Sequence, residues 1–307
     1  MASTRLTGII AAAATPIRED NSIDLPRLTE HCRQLLAHGC DGINLLGTTG
    51  EATSFSKQQR LEAMETVAKS GLPRERFMVG TGAAAIADAA DLTAAARDLG
   101  FAGALLLPPF YYKGIDDQSV VEYVEAVMAR VGRAGLRLYL YHFPQNSAVP
   151  YSPNAVEKLH TAHPEQILGV KDSSGDLAYA AELTRRMPKL DVFPSAEGAL
   201  AKAKEHRFAG CISATANITG PFAQAGWRAL GTDAGARGVE DAAKIRGAFA
   251  DWPLIAGVKW ALSDLYGDAA WIRMCPPLRA LTPTEQQGLR QKLAATRYSE
   301  LNAKSAA

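Results

Sequence analysis

The chain alternates short apolar runs with amphipathic stretches from its N-terminus to about residue 220. The apolar runs are rich in β-branched or aliphatic residues, and several are almost continuously apolar, as expected for strands buried on both faces. A βα alternation of this kind is typical of a parallel sheet. Eight strands are predicted, over residues 8–14, 42–46, 77–80, 103–107, 136–141, 167–171, 191–193 and 210–213.

The segments between these strands carry helix signals. Asp24 precedes an apolar helical face that ends near Gly39, and Ser56 followed by Gln59 is a capping-box pattern. Eight strands with a helix after each predict an α/β fold, a (β/α)8 TIM barrel. Further helices are predicted over residues 87–99, 116–131, 152–160, 176–187 and 197–206.

The pattern becomes purely helical from Pro221 onward. We therefore predict a barrel framework over residues 1–219, and a C-terminal helical extension over residues 220–307. This extension would hold the last barrel helix and two or three more helices packed on the barrel. The predicted breaks between these helices are Gly220, Gly231, Pro253, Gly267 and Pro276-Pro277.

Charge and cysteine content narrow the function classes. The chain has 33 Lys and Arg against 32 Asp and Glu, a net charge of +1, which argues against a nucleic-acid partner. No apolar run approaches the roughly 18 residues that a membrane span needs, and the apolar segment 8–14 is short for a secretion signal. The four cysteines form no C-x-x-C pair, so we expect a reduced, cytoplasmic protein.

Reacting groups of such barrels lie at the C-terminal ends of the strands and in the loops that follow. Lys171 ends a predicted strand, where partial desolvation favours the neutral amine and Schiff-base chemistry; the alternative is a surface lysine paired with Asp172. Tyr141 ends the preceding strand and could exchange protons beside an iminium, or be a core tyrosine. The run Gly47-Thr48-Thr49-Gly50-Glu51 offers backbone N–H groups and hydroxyls to a substrate carboxylate.

Together these segments resemble the pyruvate-dependent class I aldolase family of dihydrodipicolinate synthase and N-acetylneuraminate lyase. The resemblance covers nearly the whole chain, including the helical tail. The motifs that carry it are Thr15-Pro16, Gly47-Thr48-Thr49-Gly50-Glu51, Pro109-Phe110-Tyr111-Tyr112, Tyr141-x-x-Pro144, Gly169-Val170-Lys171-Asp172-Ser173-Ser174-Gly175-Asp176 and Ser213-Ala214-Thr215-Ala216-Asn217.

The resemblance implies a role for each motif. Lys171 would form the Schiff base with a 2-oxo acid, and Tyr141 would shuttle the proton. Thr48 and Thr49 would hold the carboxylate, and Thr49 would also link Tyr141 to Tyr111 of a neighbouring subunit. This exchange of a tyrosine implies a dimer, usually paired into a homotetramer. The resemblance implies no cofactor and no metal.

Departures from the family patterns bear on the substrate. Synthases that use aspartate semialdehyde have an arginine two residues after the proline of Y-x-x-P, where this chain has Asn146. Sialic-acid lyases have Ser-Thr in the first loop, an acidic dipeptide after the seventh strand and a serine after the eighth; this chain has Thr48-Thr49, Glu197-Gly198 and Ala214 there. Aldolases and dehydratases of 2-keto-3-deoxy sugar acids remain, and the run Lys-Asp-Ser-Ser-Gly-Asp is more similar to theirs.

The remaining predicted substrate contacts are His142, Phe143 and the main chain at Ile212. His142 and Phe143 would shape the pocket for the aldehyde half, although His142 could instead satisfy a loop hydrogen bond. The resemblance implies that the main-chain carbonyl of Ile212 faces Lys171.

The sequence thus predicts an aldolase that cleaves a 2-keto-3-deoxy sugar acid to pyruvate and an aldehyde. The alternatives are a dehydratase using the same imine, a dihydrodipicolinate synthase, which Asn146 disfavours, and a non-catalytic sugar-acid sensor.

Overall fold

Eight parallel strands form the centre of the structure, a computed structural model that describes residues 5–301. The strands are β1 Gly8–Ala12, β2 Gly42–Leu45, β3 Phe77–Gly80, β4 Gly103–Leu106, β5 Leu138–His142, β6 Ile167–Asp172, β7 Asp191–Pro194 and β8 Gly210–Ser213. Strands β1 to β7 pair in sequence order, and β8 returns to pair with β1, so the order is β7-β6-β5-β4-β3-β2-β1-β8.

The barrel is nearly closed between β7 and β8. Ala209, just before β8, donates a backbone hydrogen bond to Val192 of β7 at 3.0 Å. With helices between the strands, this arrangement confirms the predicted (β/α)8 TIM barrel.

Two of the helices between the strands begin at polar caps that the sequence predicts. Asp24 caps α1, and Ser56 and Gln59 form a complete capping box on α2. The helices are α1 Leu25–Ala37, α2 Lys57–Lys69, α3 Ile86–Asp98, α4 Asp117–Val131, α5 Pro144–Ser147, α6 Pro153–Ala162, α7 Leu177–Arg186, α8 Ala203–His206 and α9 Ala216–Arg228.

One predicted barrel helix has a different form. Residues 197–206 begin as a 3₁₀ segment, Glu197–Lys202, and only α8 is α-helical. The Glu197 carboxylate is fully buried and accepts hydrogen bonds from three hydroxyls at and beyond the end of β8, which hold the start of the segment against the barrel. These hydroxyls belong to Ser213, Thr215 and Thr219.

Three further helices follow, α10 Asp233–Gly247, α11 Leu254–Tyr266 and α12 Pro283–Ala294. The predicted break at Gly220 is wrong, because α9 continues through Gly220 and Pro221. Gly220 instead marks a close approach, since a Cβ there would lie 3.1 Å from Cys40 Sγ. Residues 1–4 of the predicted framework and 302–307 of the predicted extension lie outside the described residues.

Three apolar clusters connect these layers. One fills the barrel interior and includes Tyr139 and Tyr141; a larger one lies between the strands and the surrounding helices. The third lies beneath α10, α11 and α12 and includes Trp260 and Trp271. Of the helices within residues 5–301, none combines the length and apolar character required to cross a bilayer.

Candidate active site

Lys171 and Tyr141 lie side by side at the ends of adjacent strands. They are register partners in the β5–β6 ladder, and Lys171 Nζ lies 4.4 Å from the centroid of the Tyr141 ring. Both side chains are buried, with Lys171 only 3% exposed. The alternative of a surface lysine is therefore wrong.

Asp172, the next residue, has its own partner. Its Oδ1 accepts a hydrogen bond from Ser174 N at 2.9 Å. Burial raises the pKa of the Asp172 carboxyl, an effect that the hydrogen bonds from Ser174 oppose. Asp172, the last residue of β6, thus holds the start of the loop that follows the strand.

The Tyr141 hydroxyl is hydrogen-bonded to a threonine of the loop after β2. Thr48 Oγ1 lies 3.1 Å from Tyr141 OH. The link to Tyr141 was expected from Thr49 and is made by Thr48 instead. Thr49 is almost fully buried and lines a cavity together with Lys171 and Tyr141. Its predicted contact with the substrate carboxylate stays a proposal.

The loop that carries these threonines is tightly wound. Leu46 and Glu51 flank it with left-handed φ angles of 54° and 53°. Glu51 N donates to Thr48 O at 3.0 Å. Gly47 is required by space, because a Cβ there would lie 2.6 Å from Asn44 Oδ1. Turns in which left-handed residues bend the backbone can present N–H groups to an anion.

These groups meet in a cavity of about 390 Å³, which we call the reaction cavity. Its lining residues are Thr48, Thr49, Tyr141, Phe143, Asn146, Lys171, Ser173, Ser195, Ile212, Ala214, Arg246, Leu254 and Ile255. The Phe143 ring stacks on Tyr141 with centroids 5.8 Å apart. An adjoining cavity of about 210 Å³ shares Thr48, Tyr141, Phe143 and Asn146, and is also lined by Gly47 and the buried Arg60.

His142 does not line either cavity. Successive side chains of a strand point to opposite faces, so His142 is directed away from the barrel interior that Tyr141 enters. Its Nδ1 accepts a hydrogen bond from Tyr151 N at 3.1 Å, and its ring stacks on Tyr179. Burial lowers the pKa of His142 to about 4. The predicted pocket role is corrected to the alternative, a hydrogen bond to a loop.

Tyr111 lies apart from Lys171 within the chain. It is 72% exposed and packs edge-on against Tyr112, with ring centroids 5.3 Å apart. Neither cavity is lined by Tyr111. Its role in a neighbouring subunit therefore stays a proposal.

Arg246 of α10 is a site residue that the sequence analysis missed. It reaches the reaction cavity from outside the barrel, and its Nη1 donates to Thr215 Oγ1 at 3.1 Å. The buried Glu197 carboxylate lies 4.0 Å away. No local motif marks this arginine. Ser173 and Ser195, also missed, directly follow β6 and β7, so the strand-end rule could have found them.

No group of three or more His, Cys, Asp or Glu residues within the described part of the chain is arranged to hold a metal ion. The four cysteines are buried and unpaired.

A model of the Dihydrodipicolinate synthetase family matches residues 5–296. The chain belongs to this family. An uncharacterized DapA-like lyase from Chloroflexus aurantiacus is 35% identical over 220 residues, which are 71% of this chain and 73% of that protein. The crystal structure of dihydrodipicolinate synthase from Agrobacterium tumefaciens is similar with a TM-score of 0.87 and 28% identity, over 95% of this chain and 99% of that one.

The fold is also shared with Proteus mirabilis N-acetylneuraminate lyase, at 22% identity with a TM-score of 0.84, over 96% of this chain and 100% of that one. Members of the Dihydrodipicolinate synthetase family are lyases and synthases that form a lysine Schiff base with pyruvate, and they act as oligomers. Membership thus gives the reaction class and leaves the substrate open.

Proposed function

We propose that this protein is a class I aldolase that cleaves a 2-keto-3-deoxy sugar acid to pyruvate and an aldehyde. The observation that carries the proposal is the buried Lys171 amine, 4.4 Å from the ring of Tyr141, whose hydroxyl is bonded to Thr48. A buried amine beside a proton-transfer group and an anion-binding turn is the arrangement that imine chemistry on a 2-oxo acid requires.

The first step is formation of the imine. The cradle of Gly47, Thr48 and Thr49 binds the substrate carboxylate, which directs C2 toward Lys171 Nζ. The amine adds to the C2 carbonyl. Tyr141 then gives its phenolic proton to the hydroxyl of the carbinolamine, which leaves as water, so that an iminium remains on Lys171 beside the Tyr141 phenolate.

The second step breaks the carbon–carbon bond. Tyr141, as phenolate stabilised by the nearby iminium, removes the proton of the C4 hydroxyl. The C3–C4 electrons move into the iminium and form the enamine of pyruvate, while C4 leaves as the aldehyde. Tyr141 returns its proton to C3, and water then hydrolyses the imine to release pyruvate and Lys171. The Thr48 hydroxyl orients the phenol throughout.

The polar lining of the reaction cavity supports a hydroxylated substrate. Asn146, Ser173 and Ser195 line the cavity and can exchange hydrogen bonds with the hydroxyls of a sugar chain. Asn146 offers an amide rather than a charge at the position where synthases have arginine.

We also propose that the enzyme is a cytoplasmic homotetramer. The exposed Tyr111 supports an oligomer in which it enters the neighbouring subunit, and the unpaired cysteines agree with a reducing compartment. The implied partner is the small 2-oxo acid substrate.

Borohydride reduction in the presence of pyruvate tests the imine. We expect one stable three-carbon adduct on Lys171, located by peptide mass spectrometry, and its loss in Lys171→Ala. Lys69→Ala, at an exposed lysine of α2, is the matched control and should retain the adduct. Substrate binding without any adduct would refute the proposal in favour of a sensor. A dehydrated keto acid, in place of pyruvate and aldehyde, would identify a dehydratase.

A second candidate is condensation of pyruvate with an aldehyde that carries its own carboxylate, as in dihydrodipicolinate synthase. Arg246 favours it, because this arginine supplies the cavity with a cation that Asn146 does not. Arg246→Met should then raise KM about 10-fold or more for substrates with a terminal carboxylate, and change KM little for neutral sugar chains. Equal effects on both substrate sets would remove this support. A panel of 2-keto-3-deoxy acids, assayed by pyruvate release, makes the comparison.

A further inference from the structure

A buried ion pair connects the cradle loop to the C-terminal helices. Glu51 ends the loop Gly47-Thr48-Thr49-Gly50-Glu51, and Lys259 lies in α11. Lys259 Nζ is 2.5 Å from Glu51 Oε1, and both side chains are 0% exposed. Glu51 Oε2 accepts a hydrogen bond from Cys275 N at 2.9 Å. The loop is thereby bound to two segments that follow the barrel in sequence.

A contribution to the stability of the fold is a weak explanation for the Glu51–Lys259 ion pair. Removing two charges from water is costly, and well-packed apolar residues of similar volume often stabilise a core as well or better. Burial lowers the pKa of Lys259, although the attraction of Glu51 opposes the shift. A buried pair is better explained where it fixes a geometry that apolar contacts leave loose.

The geometry it fixes is that of the cradle. Glu51 has a left-handed φ of 53°, which is unfavourable for a residue with a Cβ and needs surrounding contacts to hold it. In this conformation Glu51 N donates to Thr48 O at 3.0 Å. The Thr48 hydroxyl in turn lies 3.1 Å from Tyr141 OH. A shift of the Glu51 carboxylate would therefore move Thr48 and, through it, Tyr141.

We propose that Lys259 is a positioning residue for the carboxylate cradle. Its ammonium holds Glu51 in place, so that Thr48 and Thr49 present their donors to the carboxylate of the 2-oxo acid. Lys259 lines neither cavity and does not touch the substrate. The inference rests on the proposed function for the identity of the bound carboxylate.

Lys259→Met removes the cation and retains much of the side-chain volume. In borohydride trapping, the half-saturating pyruvate concentration should rise roughly 10- to 100-fold, since small displacements of a binding group have effects of this size. The yield of adduct at saturation should change less. Amide hydrogen exchange of residues 47–51 should become faster.

Two controls separate position from stability. Leu262→Ala removes a buried side chain of the same helix and leaves the ion pair in place; it should lower Tm without changing half-saturation. The double variant Glu51→Gln, Lys259→Met has no buried charge and keeps an acceptor for Cys275 N. Its Tm should be higher than that of Lys259→Met, but its half-saturating pyruvate concentration should stay above that of the wild type. Recovery of both properties in the double variant, or an unchanged half-saturation in the single one, would overturn the inference.

Failure of this inference and failure of the proposed function give different results. A wild-type protein that forms no adduct with pyruvate refutes the proposed function. Amide hydrogen exchange does not depend on catalysis, so in that case it tests the inference by itself. If the amides of residues 47–51 exchange at the same rate in Lys259→Met as in Leu262→Ala, the inference is overturned.

Discussion

At the scale of single residues, the direction of a side chain decides its role. Tyr141 and His142 are neighbours in β5, yet Tyr141 enters the barrel interior while His142 stacks on Tyr179 outside it. Thr48 and Thr49 are likewise neighbours, and only Thr48 is hydrogen-bonded to Tyr141 among the described contacts. Adjacent residues in the chain therefore make different contacts.

The two threonines give a matched test. Thr48→Val should lower kcat by about 10-fold or more, because it removes the group that orients the Tyr141 phenol. Thr49→Val should act mainly on KM through the carboxylate. In a Tyr141→Phe background, Thr48→Val should have little further effect, since the two residues act as a unit. Steady-state pyruvate release measures all four variants; additive effects of Thr48 and Tyr141 would contradict the coupling.

At the scale of elements, glycines let helices approach closely and so place the residues of the site. A Cβ on Gly238 of α10 would lie 2.6 Å from the backbone nitrogen of Gly226 in α9. This contact sets α10, which carries Arg246 to the reaction cavity. Gly220, a predicted break, also lies inside a helix at a close contact, as Gly238 does.

Gly238→Ala should therefore destabilise the protein by about 2 kcal/mol or more, because the added methyl meets backbone that cannot move independently. Gly247→Ala in the same helix is the control: a Cβ there meets nothing within 4 Å, so the change should be neutral or stabilise by up to about 1 kcal/mol. Urea unfolding measures both variants. Equal stabilities would contradict the close-packing explanation.

At the scale of the whole molecule, two buried histidines link stability to pH. His31 lies between Asn217 and Tyr266, bonded through its two ring nitrogens at 2.8 and 3.0 Å. Burial lowers the pKa of His31 from 6.5 to about 4, and the hydrogen bond that His31 Nε2 donates to Asn217 Oδ1 opposes the shift. Burial lowers the pKa of His142 to about 4 as well.

Stability should therefore fall as the pH decreases from about 6.5 toward 4. Below pH 6.5 the unfolded chain takes up protons on these histidines and the folded protein does not, so acid favours unfolding. At pH 5 the loss is about 2 kcal/mol for each histidine. The free energy of unfolding, measured in urea at pH 7 and pH 5, should decrease less in His142→Gln than in the wild type. If the free energy of unfolding decreases equally in both proteins, His142 does not contribute to the pH dependence of stability.

Much of the fold, and the positions of Lys171 and Tyr141, could be predicted from local patterns. Strand and helix periodicities are local properties, and the eight strands lie close to their predicted ranges. Lys171 and Tyr141 were found because the C-terminal ends of barrel strands converge on one face.

The sequence by itself determined the barrel, the family, and the lysine–tyrosine pair, because each depends on short-range periodicity or on a contiguous motif. Tertiary structure decided which threonine meets Tyr141, the outward direction of His142, the entry of Arg246 from α10, and the Glu51–Lys259 pair. These features join residues far apart in the chain, separated by 208 positions for Glu51 and Lys259. Such contacts depend on helix packing and side-chain direction, which no local pattern encodes.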